Sequence, residues 1–243
     1  MNPDEPRDDR FATTHWSLVL AAGQRESPQA AQALATLCEH YWYPLYAYVR
    51  RRGFSAEDAR DLTQDFFALL LAKDRLRLAD QQRGRFRSFL LASLSHFLAN
   101  YRREQRAERR GGGQLLLSLD WQSGEERYRL EPADPQTPEK IFDRRWALTL
   151  LQRALERLRE QYVSSGRGAL FETLQETLGA ATSPPRPYAE LASELHLSES
   201  AVKVAVHRLR KRCGELLRDE IAQTVSDPTE IEEELGYLFA ALA

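Results

Sequence analysis

Apolar residues recur at spacings of three and four along almost the whole chain, and no stretch alternates apolar and polar residues with a period of two. The first pattern places apolar side chains on one face of an α-helix, whereas the second is typical of a half-buried strand. The sequence therefore predicts an all-α fold. Its 243 residues, 42% hydrophobic and 29% charged, are typical of a globular protein and sufficient for two small domains.

Helix start and stop signals predict two helical domains joined by a flexible linker. Residues 27–110 open with a serine N-cap before a proline and stop at three consecutive glycines. Residues 111–137, rich in Gly, Pro and acids, read as the linker. A long amphipathic pattern opens the second domain, 138–218. Residues 1–26 form an N-terminal extension, and 219–243 form an acidic amphipathic tail.

Several functional classes lack their sequence signals. The longest apolar run, Phe66–Ala72, is far shorter than the roughly 20 residues that cross a bilayer, and the N-terminus has no apolar stretch of a secretory signal. Cys38 and Cys213 have no nearby cysteine, and neither a histidine metal motif nor a glycine-rich phosphate loop is present. We therefore expect a cytoplasmic protein without membrane contact, metal, cofactor or catalytic activity.

Charge is concentrated in blocks although the net charge is only −2. Residues 83–110 carry a net +6 and residues 200–218 a net +5, whereas residues 219–243 contain seven acids and no base. A smaller acidic group lies within 55–65. Such separation indicates nucleic-acid and protein contact surfaces, with solvated helix faces as the alternative.

Residues 188–212, YAELASELHLSESAVKVAVHRLRKR, have the pattern of a helix-turn-helix motif. Ala192 is small where the two helices would cross, and His196 occupies the turn, because histidine enters the left-handed region more readily than most residues. A helical hairpin with a solvated basic face is the alternative. The residues that we expect to face base edges and phosphates in a major groove are Ser198, Glu199, Ser200, Lys203, His207, Arg208, Arg210, Lys211 and Arg212.

The first basic block differs because aromatic residues are interleaved with its charges, as in sites that stack unpaired bases. Helical spacing assigns Phe86, Phe89 and Phe97 to the core rather than to a stacking platform. The candidates for contact with single-stranded or melted DNA are Arg83, Arg85, Arg87, His96, Asn100, Tyr101, Arg102, Arg103 and Arg106.

Taken in this order, the segments resemble those of bacterial extracytoplasmic-function sigma factors, the small two-domain specificity subunits of RNA polymerase. The resemblance covers roughly residues 28–218: AEDARDLTQDFFALLL (56–71) is similar to the helix that docks on the polymerase clamp, FRSFLLASLSHFLANYRREQR (86–106) to the promoter-melting and minus-ten helix, and ESAVKVAVHRLRKR (199–212) to the minus-thirty-five recognition helix. Phe97 and Val204-Ala205 depart from the family's usual residues, so base preferences are not carried over.

The resemblance implies a function in transcription initiation. Core RNA polymerase would bind the acidic residues Glu57, Asp58, Asp61 and Asp65. Promoter DNA, duplex and single-stranded, would bind the two basic blocks, and an anti-sigma factor or a Ser/Thr kinase are candidate regulators. Thr63, in the docking helix, is the candidate phosphosite, because a phosphate would change the charge of that surface. The alternative function is a helix-turn-helix transcriptional regulator that does not join polymerase.

The acidic tail is predicted to form a helix after Asp227-Pro228-Thr229, with its large apolar residues on one face. Such a face has to pack on something. Two interpretations stay open: the tail caps the core of the second domain, or its acidic face lies near the basic recognition helix and competes with DNA.

Overall fold

The computed structural model describes residues 28–71, 85–105, 120–129, 137–179 and 186–242. Within these ranges every regular element is helical and none is a strand, so the predicted all-α class is confirmed there. The α-helices in these ranges are α1 (Pro28–Arg51), α2 (Ala56–Leu71), α3 (Phe86–Gln105), α4 (Trp121–Arg129), α5 (Pro138–Ser164), α6 (Gly168–Leu174), α7 (Tyr188–Leu195), α8 (Glu199–Ala222) and α9 (Ile231–Leu242). Short 3-10 turns, Gln175–Leu178 and Pro228–Glu230, follow α6 and precede α9. The extension 1–26 lies outside the described residues.

Local capping explains several helix starts. The hydroxyl oxygen of Ser55 accepts a hydrogen bond from the Asp58 amide at 3.0 Å and caps the first turn of α2. Asp227 and Glu230 form a reciprocal capping box ahead of α9. α1 continues through Pro44.

The described residues fall into two compact units, one within residues 1–149 and 221–243 and the other within 150–220. These boundaries lie inside α5 and α8 rather than at the predicted linker, 111–137. Each unit has its own core, as expected of separately packed helices.

Aromatic side chains from α1, α3 and α5 form the core of the first unit. Tyr41 stacks on Trp146 with ring centroids 4.3 Å apart, and Phe86 lies 6.1 Å from the same indole. All three side chains are buried. The apolar stripe of α2, which includes Ala59, Leu62 and Phe66, is buried in the same unit.

Part of the predicted linker is a packed helix. Trp121 of α4 meets Trp42 of α1 edge-on at 4.9 Å, and the Gly124 backbone lies against the Trp42 ring. Glu125 accepts hydrogen bonds from Arg50 and Tyr46 of α1. Residues 120–129 are therefore part of the first unit and not a free connection.

The acidic tail packs in the first unit, whereas one of the two sequence interpretations had placed it on the core of the second domain. Leu238 and Glu234 of α9 are buried, and Glu234 binds arginines at the start of α3. The first two acids of the predicted tail instead belong to α8, where Glu220 is held by Arg153 and Arg157 within the second unit. The tail's negative charge is thus largely paired within the fold rather than displayed as one acidic face.

The core of the second unit is a single apolar cluster. It consists of Ala154, Leu158, Tyr162, Phe171, Leu174, Leu191, Ala192, Val202, Val206, Leu209, Cys213 and Leu216. This cluster fixes which face of α8 points inward and which points outward.

None of the described helices combines the length and the apolar character needed to cross a membrane.

Candidate functional site

A three-residue turn sets the start of α8. His196 adopts the left-handed conformation, with φ 53° and ψ 40°, and is the one non-glycine residue with positive φ among those described. The Leu197 amide donates to the Ala192 carbonyl at 2.9 Å. Ser198 then accepts a hydrogen bond from the Ala201 amide at 3.2 Å and caps α8. The sequence indicated this turn because histidine tolerates the left-handed region.

The outward face of α8 is polar and strongly basic. Ser198, Glu199, Ser200, Lys203, His207, Arg208, Arg210 and Lys211 are exposed, and Arg212 is half-buried. The apolar residues that alternate with them, Val202, Val206 and Leu209, are buried in the second unit's core. Ala205, which packs against the same core, is partly exposed.

Two arginines of this face have partners within the second unit. Arg210 donates from Nε and Nη2 to the Thr177 carbonyl at 3.1 and 2.7 Å. Arg212 donates to the Gln161 side chain at 2.9 Å and pairs with Glu215 at 2.9 Å. Both guanidinium groups therefore hold neighbouring elements together.

The other basic residues of the face do not hold neighbouring elements together in this way. Lys203, His207, Arg208 and Lys211 have no hydrogen-bond or ion-pair partner among the residues described. Exposed cations without internal partners are available for phosphate groups, because no existing pair has to be broken first. The cations Lys203, Arg208 and Lys211, together with the imidazole of His207, define the cation face of α8.

The start of α3 differs from what the sequence predicted. Arg87 is buried; its Nε lies 2.6 Å from Glu234 of α9 and its Nη1 lies 2.9 Å from Asp143 of α5. Arg85 pairs with Glu233 at 2.7 Å and with Glu234 at 3.0 Å. Burial alone would lower the pKa of Arg87, but the hydrogen bond and charge of Glu234 raise it overall.

The assignment of Arg85 and Arg87 to DNA contact is therefore corrected. Both side chains form ion pairs with glutamates of the tail helix, α9. Asp143, at the centre of the same cluster, also accepts a hydrogen bond from the Tyr237 hydroxyl at 2.6 Å, which together with burial raises the pKa of Tyr237. A basic residue between aromatic residues looks the same in sequence whether it faces DNA or an internal carboxylate. Only the fold, which brings Glu234 to it, distinguishes the two.

The later part of α3 keeps exposed polar groups. His96, Arg102 and Arg103 are exposed, while Asn100 and Tyr101 are half-buried. Tyr101 lies beside Phe54, and Arg102 sits over the Phe54 ring at 5.0 Å and donates to the Arg52 carbonyl. Arg83 and Arg106 lie outside the described residues.

The acidic residues of α2 lie on its accessible side. Glu57, Asp58 and Asp65 are exposed, and Asp61 is half-exposed with Arg60 at 3.3 Å. Partial burial and the neighbouring Asp61 carboxylate raise the pKa of Asp65. A carboxylate whose charge is disfavoured within its own helix would be stabilised by a cationic partner.

Thr63, in the same helix, is fully buried and its hydroxyl donates to the Ala59 carbonyl at 2.7 Å. A kinase cannot reach a hydroxyl in this position while α2 is packed. The prediction of a phosphosite at Thr63 is therefore wrong for the folded protein, because the helix turns this side chain toward the core.

Cys38 and Cys213 are buried and unpaired in the described part of the chain. Burial raises the pKa of both thiols, to about 12 for Cys38, where the nearby Glu39 adds to the shift. A raised pKa keeps a thiol protonated and unreactive near neutral pH. No group of three or more metal-ligating side chains occurs in the ranges covered by the structure.

Comparison with protein-family models, with curated proteins and with solved structures found no match for this chain. Three separate surfaces are the candidates for binding: the cation face of α8 in the second unit, and the exposed acids of α2 and the polar end of α3 in the first.

Proposed function

We propose that this protein is a promoter-specificity subunit of bacterial RNA polymerase of the extracytoplasmic-function class. In this proposal it acts in the cytoplasm, binds core polymerase and promoter DNA, and directs promoter recognition, melting and the start of transcription. It catalyses nothing itself, because the polymerase carries the chemistry.

The observation that carries the proposal is the cation face of α8. Lys203, His207, Arg208 and Lys211 project from one helix that follows a tight turn, and none is engaged elsewhere in the described chain. In this reading α7, the turn and α8 form a helix-turn-helix, and α8 enters the major groove. Lys203 and His207 would take part in base readout, while Arg208 and Lys211 would bind phosphates.

The exposed acids of α2 support the polymerase part of the proposal. Glu57, Asp58, Asp61 and Asp65 offer a negative surface to a basic clamp, as the resemblance to the family's docking helix implies. A regulator that acts by binding DNA alone does not require such a surface. Asp58 has a second role, because its carboxylate also bonds the Ser55 hydroxyl at 2.7 Å.

Contacts to melted DNA are proposed only for the part of α3 that the tail does not cover. His96, Asn100 and Arg103 recur at spacings of four and three and so share a helix face. With Tyr101 and Arg102 they combine rings and cations, as binding to unpaired bases requires. The two compact units would then divide the promoter between them, with duplex at the second and melted strand at the first.

The direct test is reconstitution of the full-length chain with bacterial core polymerase, followed by run-off transcription from genomic fragments. We expect transcripts that depend on the chain and start downstream of a shared pair of short sequence elements. Lys203→Ala should reduce these transcripts, whereas Lys140→Ala, which removes an exposed lysine from α5, should not. Specific DNA binding without association with polymerase would favour the alternative of a separate regulator. If the chain showed neither DNA binding nor association with polymerase, both proposed functions would be overturned.

A further inference from the structure

One large apolar side chain stands on the outward face of α8. Val204 is 49% exposed, whereas Val202 and Val206 on either side of it are 0% and 2% exposed. Val202 and Val206 belong to the core cluster of the second unit, and Val204 does not. Its isopropyl group is therefore presented to the surroundings of the protein.

Three of the four neighbours of Val204 on the helix surface are polar or basic, and the fourth is the half-buried Ala201. Residues three and four apart are adjacent on a helix, which places Ser200, His207 and Arg208 around Val204. All three are exposed. The valine thus lies within the cation face of α8 and not at its edge.

Helix stability does not account for a valine at this position. A β-branched residue is a poorer helix former than alanine, lysine or arginine. Single exposed apolar residues are ordinary on protein surfaces. What distinguishes Val204 is its position among cations that have no partner in the described chain.

We propose that Val204 reads a thymine by contacting its 5-methyl group in the major groove. This inference rests on the proposed function, since it requires α8 to enter the groove. The thymine methyl is the apolar group among the base edges exposed there, and apolar side chains distinguish thymine by touching it. The surrounding cations bind the phosphates on either side and bring the valine to the base edge.

The test replaces thymine by uracil, which removes that methyl group and leaves the hydrogen-bonding edge unchanged. The upstream DNA element is first determined by selection from random duplexes, using the full-length chain assembled with core polymerase. Each thymine of the selected element is then replaced singly by uracil, and affinities are measured for the wild-type chain, Val204→Ala and Val163→Ala. Val163 is the matched control, because it is 57% exposed but lies in α5.

We expect one position at which uracil weakens wild-type binding by about fourfold, the effect of one methyl group leaving an apolar contact. Val204→Ala, which removes two methyl groups and leaves only Cβ, should reduce that difference, and Val163→Ala should retain it. Equal binding of thymine and uracil at every position, or an unchanged difference in Val204→Ala, would overturn the proposal while specific binding remains. Selection that yields no preferred sequence would instead overturn the proposed function, and this inference with it. Unchanged melting temperatures of both variants verify that folding is intact.

Discussion

Glu234 Oε1 accepts a hydrogen bond from Arg87 Nε at 2.6 Å, joining two residues that are 147 positions apart in the chain. Both side chains are buried, and Asp143 pairs with the same guanidinium at 2.9 Å. The contact attaches the C-terminal helix to the start of α3. It also explains why a tail with a dense run of acids packs within the fold: one of its acids is buried against an arginine.

Glu234→Gln should destabilise the first unit strongly. The change removes one carboxylate from a buried pair and leaves the Arg87 charge partly uncompensated, which costs about 3–5 kcal/mol in comparable cases. Chemical denaturation of the full-length chain measures this change in the free energy of unfolding. Glu233→Gln is the matched control, since Glu233 is 76% exposed and, among the described residues, forms an ion pair with Arg85 alone. Similar stabilities for the two variants would show that the buried cluster does not hold the tail.

Gly124→Ala should separate α4 from α1. A Cβ atom at this position would overlap the Trp42 ring, whose Cζ3 atom would lie only 2.7 Å away. Overpacking of this kind costs about 1–3 kcal/mol. Gly236→Ala in α9, where nothing lies within 4 Å of the added atom, should instead stabilise its helix by about 0.5–1 kcal/mol. Thermal unfolding compares the two, and a tolerated Gly124→Ala would mean that α4 does not pack as described.

The Glu125 carboxylate should make stability depend on pH. Burial alone would raise the pKa of Glu125, but hydrogen bonds from Tyr46 and Arg50 and the charge of Arg50 lower it overall. A lowered carboxyl pKa stabilises the fold above the ordinary value of 4.5, and this stabilisation is lost as the pH falls through the lowered pKa.

The melting temperatures of wild-type protein and Glu125→Gln should therefore differ most near pH 7 and converge as the pH falls below 4.5. Glu126→Gln, the same change at an exposed neighbour, serves as the control for the substitution itself. A difference that stays constant down to pH 3 would refute the assigned interactions.

Arg208→Ala and Arg210→Ala should affect different properties, DNA binding and stability, although the two residues are only two positions apart. Arg208 has no partner among the described residues, so Arg208→Ala should weaken binding to all duplexes and reduce the salt slope of the binding constant by about 1. Arg210 holds the Thr177 carbonyl, so Arg210→Ala should lower stability by about 1 kcal/mol and leave the slope unchanged. Titrations at several salt concentrations, with melting curves, distinguish these effects. A reduced slope for Arg210→Ala alone would reverse the assignment.

The sequence was sufficient for elements that depend on local signals. The turn at His196 and the helix that begins after Asp227-Pro228-Thr229 both follow from residues close to one another in the sequence. α4 was missed because it is short and polar, and its packing depends on Trp42 far away in the chain.

The roles of individual charged and polar residues were harder to predict than the positions of the helices. Arg87 and Thr63 were assigned to function, yet both are buried, because helical periodicity leaves the exact orientation of a single residue open. Arg210 and Arg212 stand in a basic run with Arg208 and Lys211, but only the fold reveals their acceptors in other helices. Sequence indicates where charge accumulates, and tertiary contacts decide which charges are left for a partner.

The central claim is that the exposed acids of α2 dock this chain on core RNA polymerase. The most direct measurement is the affinity of the full-length chain for core enzyme, compared between wild type, the double variant Asp61→Lys/Asp65→Lys and the control Glu39→Lys/Glu126→Lys. Both pairs reverse two acids of the first unit, but the control pair lies outside α2. We expect tight binding for wild type and control, and loss of binding for the α2 variant with its fold intact by circular dichroism. Equal binding of all three proteins, or no binding of the wild type, would contradict the account.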